Sequence, residues 1–162
     1  MAELTTLEEK LGEVTGLAMA AQGAVDKISG LVEDNDLKQT LERMAREARE
    51  TEERCTQLAE DLDGKKTAVL DKARETKQEA TEMMRTYLGS DAEGLDGFEF
   101  LTMAEAGEVG HWEILGVLGD KAGKSDVQEV VQWAVPIQQR HFDEARQGSL
   151  KLASEEDPNE TG

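Results

Sequence analysis

A chain of 162 residues is long enough to bury a real core as one domain. Its 36 acidic and 18 basic residues leave a net charge of −18, which excludes nucleic acid and anionic membrane as direct partners, because phosphate binding needs clustered Lys and Arg. The lone Cys55 excludes an internal disulfide, and the acidic opening lacks the apolar run of a secretory signal. No stretch approaches the roughly 18 apolar residues of a membrane span. A soluble, cytoplasmic, all-α chain is expected, with a helical domain over 1–153 and a disordered acidic tail over 154–162.

The first predicted helix covers 3–33. Leu4, Leu7, Leu11, Val14, Ala18, Ala21, Val25, Ile28 and Val32 keep an unbroken 3-4 spacing, the pattern of a bundle seam. Gly16, Gly23 and Gly30 recur at heptad intervals on the other side. Each weakens a helix by about 1 kcal/mol relative to Ala, so a close approach is expected there, either by a further helix or by a second subunit. A homodimer or higher oligomer through helix 3–33 is the corresponding partner expectation.

Glu33–Asp36 makes a turn, with Asn35 or Asp36 placed to cap the next helix. That helix, 37–62, carries the seam Leu37, Leu41, Met44, Ala48, Thr51, Cys55, Leu58 and Leu62. Cys55 on that seam reads as a small buried hydrophobe. Glu47 and Glu50 flank the seam: either both lie on a solvated edge, or the small Ala48 and Thr51 let one swing inward. A third helix over 65–88 has a thin apolar side and is expected to be partly exposed. Gly89–Gly97 is an acidic loop without the spacing of a calcium loop.

The most informative stretch lies in the fourth helix, 97–121. Phe98, Leu101, Glu105, Glu108, Trp112 and Leu115 fall on one helical stripe. Two carboxylates in the middle of an apolar seam need a cation, a proton or several hydrogen bonds. His111 follows Glu108 at i+3, where it could share a ligand. In the fifth helix, 126–153 and capped by Ser125, the matching stripe is Val127, Val131, Ala134, Gln138, His141 and Ala145. Pro136 is expected to kink it one turn before His141.

Five helices with Glu105-x-x-Glu108-x-x-His111-Trp112 and Gln138-x-x-His141 resemble the ferritin-like superfamily. Arg49–Leu58, Gly64–Leu70 and Glu105-x-x-Glu-Val are similar to the YciF-like branch of bacterial stress-associated proteins, over roughly residues 15–152. The resemblance implies an antiparallel four-helix bundle with one additional helix between the two helix pairs. It also implies a di-iron site. Glu50 matches the acid of the second helix, Glu47 stands where a His is usual, and Glu105 and Glu108 match the acids of the fourth. Gln138 occupies an acidic position, and the first-helix acid falls at Ala18. Those two departures remove negative ligands that a di-iron centre uses to neutralise its cations, so a partial or lost site is expected.

Two readings follow. In one, Glu105, Glu108, His111 and His141, assisted by Glu47 or Glu50, bind iron or another divalent metal, and the protein is a ferroxidase-type oxidoreductase. In the other, the bundle holds no metal, its inward polar residues form a hydrogen-bonded network, and the protein works by association with itself or with a basic protein partner. No nucleophile–base pair or Gly-rich strand-to-helix turn points to other chemistry.

Overall fold

The computed structural model describes residues 2–161; Met1 and Gly162, the two ends of the expected domain and tail, lie outside the described residues. These residues form five helices: α1 (Thr6–Ser29), α2 (Asn35–Glu60), α3 (Lys66–Tyr87), α4 (Gly94–Lys121) and α5 (Ser125–Ser154). No helix is long and apolar enough to cross a membrane.

Local chemistry sets the helix ends. Thr5 caps α1: its hydroxyl accepts from Glu8 N (3.2 Å), and the Glu8 carboxylate accepts from Thr5 N (2.8 Å). This reciprocal pair starts the helix three residues later than the apolar spacing suggests. Asp34, not Asn35 or Asp36, caps α2 by accepting from Leu37 N (3.0 Å). Ser125 is the first residue of α5 and not its cap, a position held by Lys124 without a side-chain bond. Gly123, at φ +65°, makes the sharp reversal between α4 and α5. Pro136 sits on the exposed side of α5, which continues on both sides of it. Beyond Ser154 the chain is exposed and makes short turns, such as Glu160 N donating to Asp157 O (3.1 Å).

Packing closes four helices into a ring in the order α1, α2, α5, α4, each lying against the next and α4 returning to α1. Short turns make α1–α2 and α4–α5 antiparallel pairs. Ion pairs zip α2 to α5 in antiparallel register: Asp34 with Lys151 (2.5 Å), Arg43 with Glu144, and Glu47 with Arg140. α3 lies outside the ring, mainly on α1, and carries the chain back between the two pairs. The close approach expected at the α1 glycines is made by α3. A Cβ on Gly16 would overlap the Ala73 carbonyl, and one on Gly12 would come within 2.8 Å of Lys72. At Gly23 no such neighbour exists, and Gly30 is simply the C-cap of α1.

The core is divided. One apolar cluster, with Leu11, Val14, Cys55, Trp112, Leu115 and Val131, fills one end of the ring. A second, with Ile28, Leu41, Met44, Phe98, Leu101 and Ala145, fills the other. Between them α4 and α5 contribute Glu105, Glu108, Gln138 and His141, all buried, while α1 and α2 contribute the small buried Thr15, Ala18, Ala48 and Thr51.

Candidate functional site

The two stripes that carry the polar layer are buried throughout their length. From Phe98 to Leu115 on α4 and from Val127 to Ala145 on α5, every residue of the stripe faces inward. Large apolar side chains above and below hold the layer in place. Glu105 and Glu108 keep only 2 % and 5 % of their surface, and His141 only 1 %, so each polar atom there depends on protein partners.

Gln138 supplies the central one. With its amide oriented so that both carboxylates are given a donor, its nitrogen donates to Glu108 Oε2 (2.7 Å) and to Glu105 Oε2 (2.9 Å). His141 stands beside this group, with Nδ1 3.8 Å from Glu105 Oε2, too far for a hydrogen bond. Its Nε2–H donates outward to Glu47 Oε1 (3.1 Å). Glu47 in turn accepts from the Arg140 guanidinium, which with Arg43 also binds Glu144. A hydrogen-bonded chain therefore runs from the α2–α5 surface through Glu47 to His141, and ends 3.8 Å short of the two buried acids, which Gln138 joins.

Electrostatics divides this chain into a neutral inner part and a charged outer part. Burial pushes Glu105 up from 4.5 to about 7, against a small downward effect of its hydrogen bond with Glu108. Burial, together with the neighbouring Glu105, raises Glu108 well above the carboxylate range, so the pair retains a proton at neutral pH. Burial also lowers His141, more than Glu47 raises it, which favours the neutral imidazole. For Glu47, burial acts upward, but Arg140 and His141 together outweigh it and leave the carboxyl lowered and ionised.

Of the six residues singled out from the sequence, the structure brings four together: Glu47, Glu105, Glu108 and His141. Glu50 is not among them. It is half exposed and pairs along its own helix with Arg54 (3.3 Å), whose guanidinium stacks on Trp133 of α5 (4.1 Å to the ring centroid). His111 is also outside. It lies off the α4 stripe, and its Nδ1–H folds back to the Gly107 carbonyl (2.8 Å), leaving Nε2 3.8 Å from Glu13 on α1. The outer arginines, Arg140 and Arg43, are the part that sequence reasoning missed. The i,i+4 pair Arg140–Glu144 is a visible helical signal, but its cross-helix partner Glu47 is not readable without the register. Among the described residues, no three His, Cys, Asp or Glu side chains converge closely enough to hold one metal ion. The chain matches no protein-family model and no curated protein.

Proposed function

We propose that this chain is a cytoplasmic, ferritin-like bundle of the stress-associated kind in which a proton-bearing polar layer stands in place of a di-iron centre, and that it acts by binding and not by redox catalysis. The observation that carries this reading is the Gln138 amide, whose nitrogen, in the orientation that gives both carboxylates a donor, lies 2.7 and 2.9 Å from the oxygens where a cation would otherwise sit. The rest of the donor set agrees with it. Ala18 gives no acid from α1, Glu47 is engaged by Arg140 and His141, and Glu50 faces water. Two iron ions would leave too few carboxylates to bridge and neutralise them.

Elemental analysis of protein purified without added metal tests the proposal. Well under one equivalent of iron, manganese or zinc per chain is expected, with no rise in melting temperature on adding ferrous ion under anaerobic conditions. A stoichiometric metal, or a clear thermal gain, would overturn it, since a ligand that binds only the folded state must stabilise it.

A second reading retains a single cation, and one feature favours it. Turned end for end, the Gln138 amide would present its oxygen beside Glu105 and Glu108, with His141 at the same level. Iron-dependent oxidation would then be the activity. The substitution Gln138→Glu separates the readings: under the first it introduces metal affinity absent from the parent, under the second it only strengthens affinity already present.

A further inference from the structure

The buried acids are reachable from one side. α3 and α4 both pack on α1 but scarcely on each other, and the second half of α3 is largely exposed. A groove of about 870 Å³ runs between them. Tyr87 of α3 and Phe100 of α4, with ring centroids 5.7 Å apart, bring the two helices together beside it. Small side chains on α1 (Ala20, Ala21, Gly23, Ala24) leave the space open. The walls are predominantly apolar, with Leu17 from α1, Met84 from α3, and Leu101 and Ala104 from α4, and Glu105 and Glu108 are part of the same lining. Size and lining match the sites that take small amphiphilic molecules.

We propose that this groove binds an amphiphile with a cationic amino head, its hydrocarbon body along the α1–α3–α4 walls and its ammonium against Glu105 and Glu108. The argument is one of charge and hydrogen-bond complementarity. The Gln138 amide has two N–H groups, and both are used on the two Oε2 atoms. One proton between the two carboxyls cannot saturate their remaining oxygens, so the pair keeps acceptor capacity. A primary ammonium brings three donors and a compensating charge; a carboxylate head would meet two acids. Of the other charged side chains in the lining, Arg74 pairs with Asp71 (2.8 Å), Glu52 accepts from the Gln22 amide (2.6 Å), and Lys77 is exposed on α3. The overall charge of −18 further favours a cation over an anion.

The inference rests on the metal-free reading above, and the test keeps the two apart. Metal-stripped protein and protein as purified are titrated calorimetrically with decylamine, decanol and decanoate below their micelle concentrations, with metal content measured on the same samples. Saturable binding of one decylamine per chain is expected, about tenfold tighter than decanol, the contrast of roughly one charged hydrogen bond, and decanoate should bind more weakly than either. In Glu105→Gln/Glu108→Gln the amine should fall to the affinity of the alcohol while the alcohol is unchanged. Gly23→Leu and Gly107→Leu place side chains in open space within the groove lining, and both should abolish binding of amine and alcohol while the fold persists.

Decanoate binding as tightly as decylamine, or no saturable amine binding, would overturn the inference. So would binding that ignores both leucine variants. A dimer that those variants dissociate, with no amine binding, would overturn it in favour of a second copy as the occupant. Metal-free protein that ignores the amine refutes the groove alone, whereas stoichiometric metal refutes the reading beneath it.

Discussion

Replacing Glu105 with glutamine should stabilise the protein above neutral pH and leave it nearly unchanged in acid. Burial holds Glu105 at about 7, against 4.5 for the free group. Between those values the folded protein keeps a proton that the unfolded chain releases. The contribution of this carboxyl to stability is therefore complete below pH 4.5 and is lost progressively as pH rises through 7. At about 1.36 kcal/mol for each tenfold change in proton affinity, the penalty levels off at about 3 kcal/mol. Glutamine keeps the shape without the charge: its carbonyl can accept from Gln138 and its amide can donate to Glu108. The full 3 kcal/mol is thus a ceiling of about the right size, since the new amide needs partners of its own. His141, lowered chiefly by burial, acts in the opposite sense, adding stability as pH rises through its folded value towards 6.5, but it is common to both proteins and cancels in their difference. Urea unfolding followed by circular dichroism at pH about 5 and about 8 measures that difference. A variant that loses stability at pH about 8 would refute the reasoning, because it would mean that a bound cation compensates the anion in the parent.

Three further outcomes are expected. Gly16→Ala should destabilise by about 1–3 kcal/mol, the usual range for forced overpacking, because its Cβ would meet the Ala73 carbonyl; Gly23→Ala, with nothing near its Cβ, should stabilise by up to about 1 kcal/mol through helix propensity, and thermal unfolding of both checks the pair. Glu47→Ala removes the acceptor of the buried His141 Nε2–H and should cost about 1–3 kcal/mol, the penalty for an unsatisfied buried donor; urea titration reads it, and Glu47→Gln, which keeps an acceptor, should recover part of the loss. Cys55, fully buried and pushed up to about 12 mainly by burial, should resist thiol reagents in native protein at pH about 8 and react only in denaturant, which a colorimetric thiol assay follows.

Much of the fold was legible because each ring helix states its inward side in side-chain size. The stripes of α4 and α5 could be written out residue by residue from a 3-4 spacing alone, including the polar members at their centres. Spacing assigns sidedness only within about half a turn. Glu47 and Glu50 flank the same α2 seam, and nothing in α2 itself distinguishes them. The distinction is made by α5, which presents Arg140 and His141 to Glu47 but Trp133 to Arg54, so that Glu50 is left pairing within α2. His111 failed for a related reason: an i+3 neighbour of a buried acid shares its face only if the bundle partner lies on that flank, and here the flank is the rim of the α1–α4 contact. Of the three heptad-spaced glycines only Gly16 marks a close approach, since α3 crosses α1 there and not at Gly23 or Gly30, and where α3 returns is a property of the whole path.

The polar layer is best understood against what could have replaced it. Two apolar clusters flank it, and the α1 and α2 positions opposite are small, so Leu at 105, 108 or 138 has room in principle and would remove buried charge. Buried ionic groups of this kind are commonly neutral or unfavourable relative to well-packed apolar residues, and the raised Glu105 and Glu108 indicate the same here. Stability therefore does not account for the layer. Register can account for part of it: Glu47–His141 and Gln138 with both acids tie α2, α4 and α5 at one level. Yet Glu105 and Glu108 also line the α1–α3–α4 groove, a placement that tying helices in register does not require. Two acids set in the lining of a space with apolar walls are what the proposed amine site accounts for and a structural fastening does not, and that is why the groove and the acids are read together.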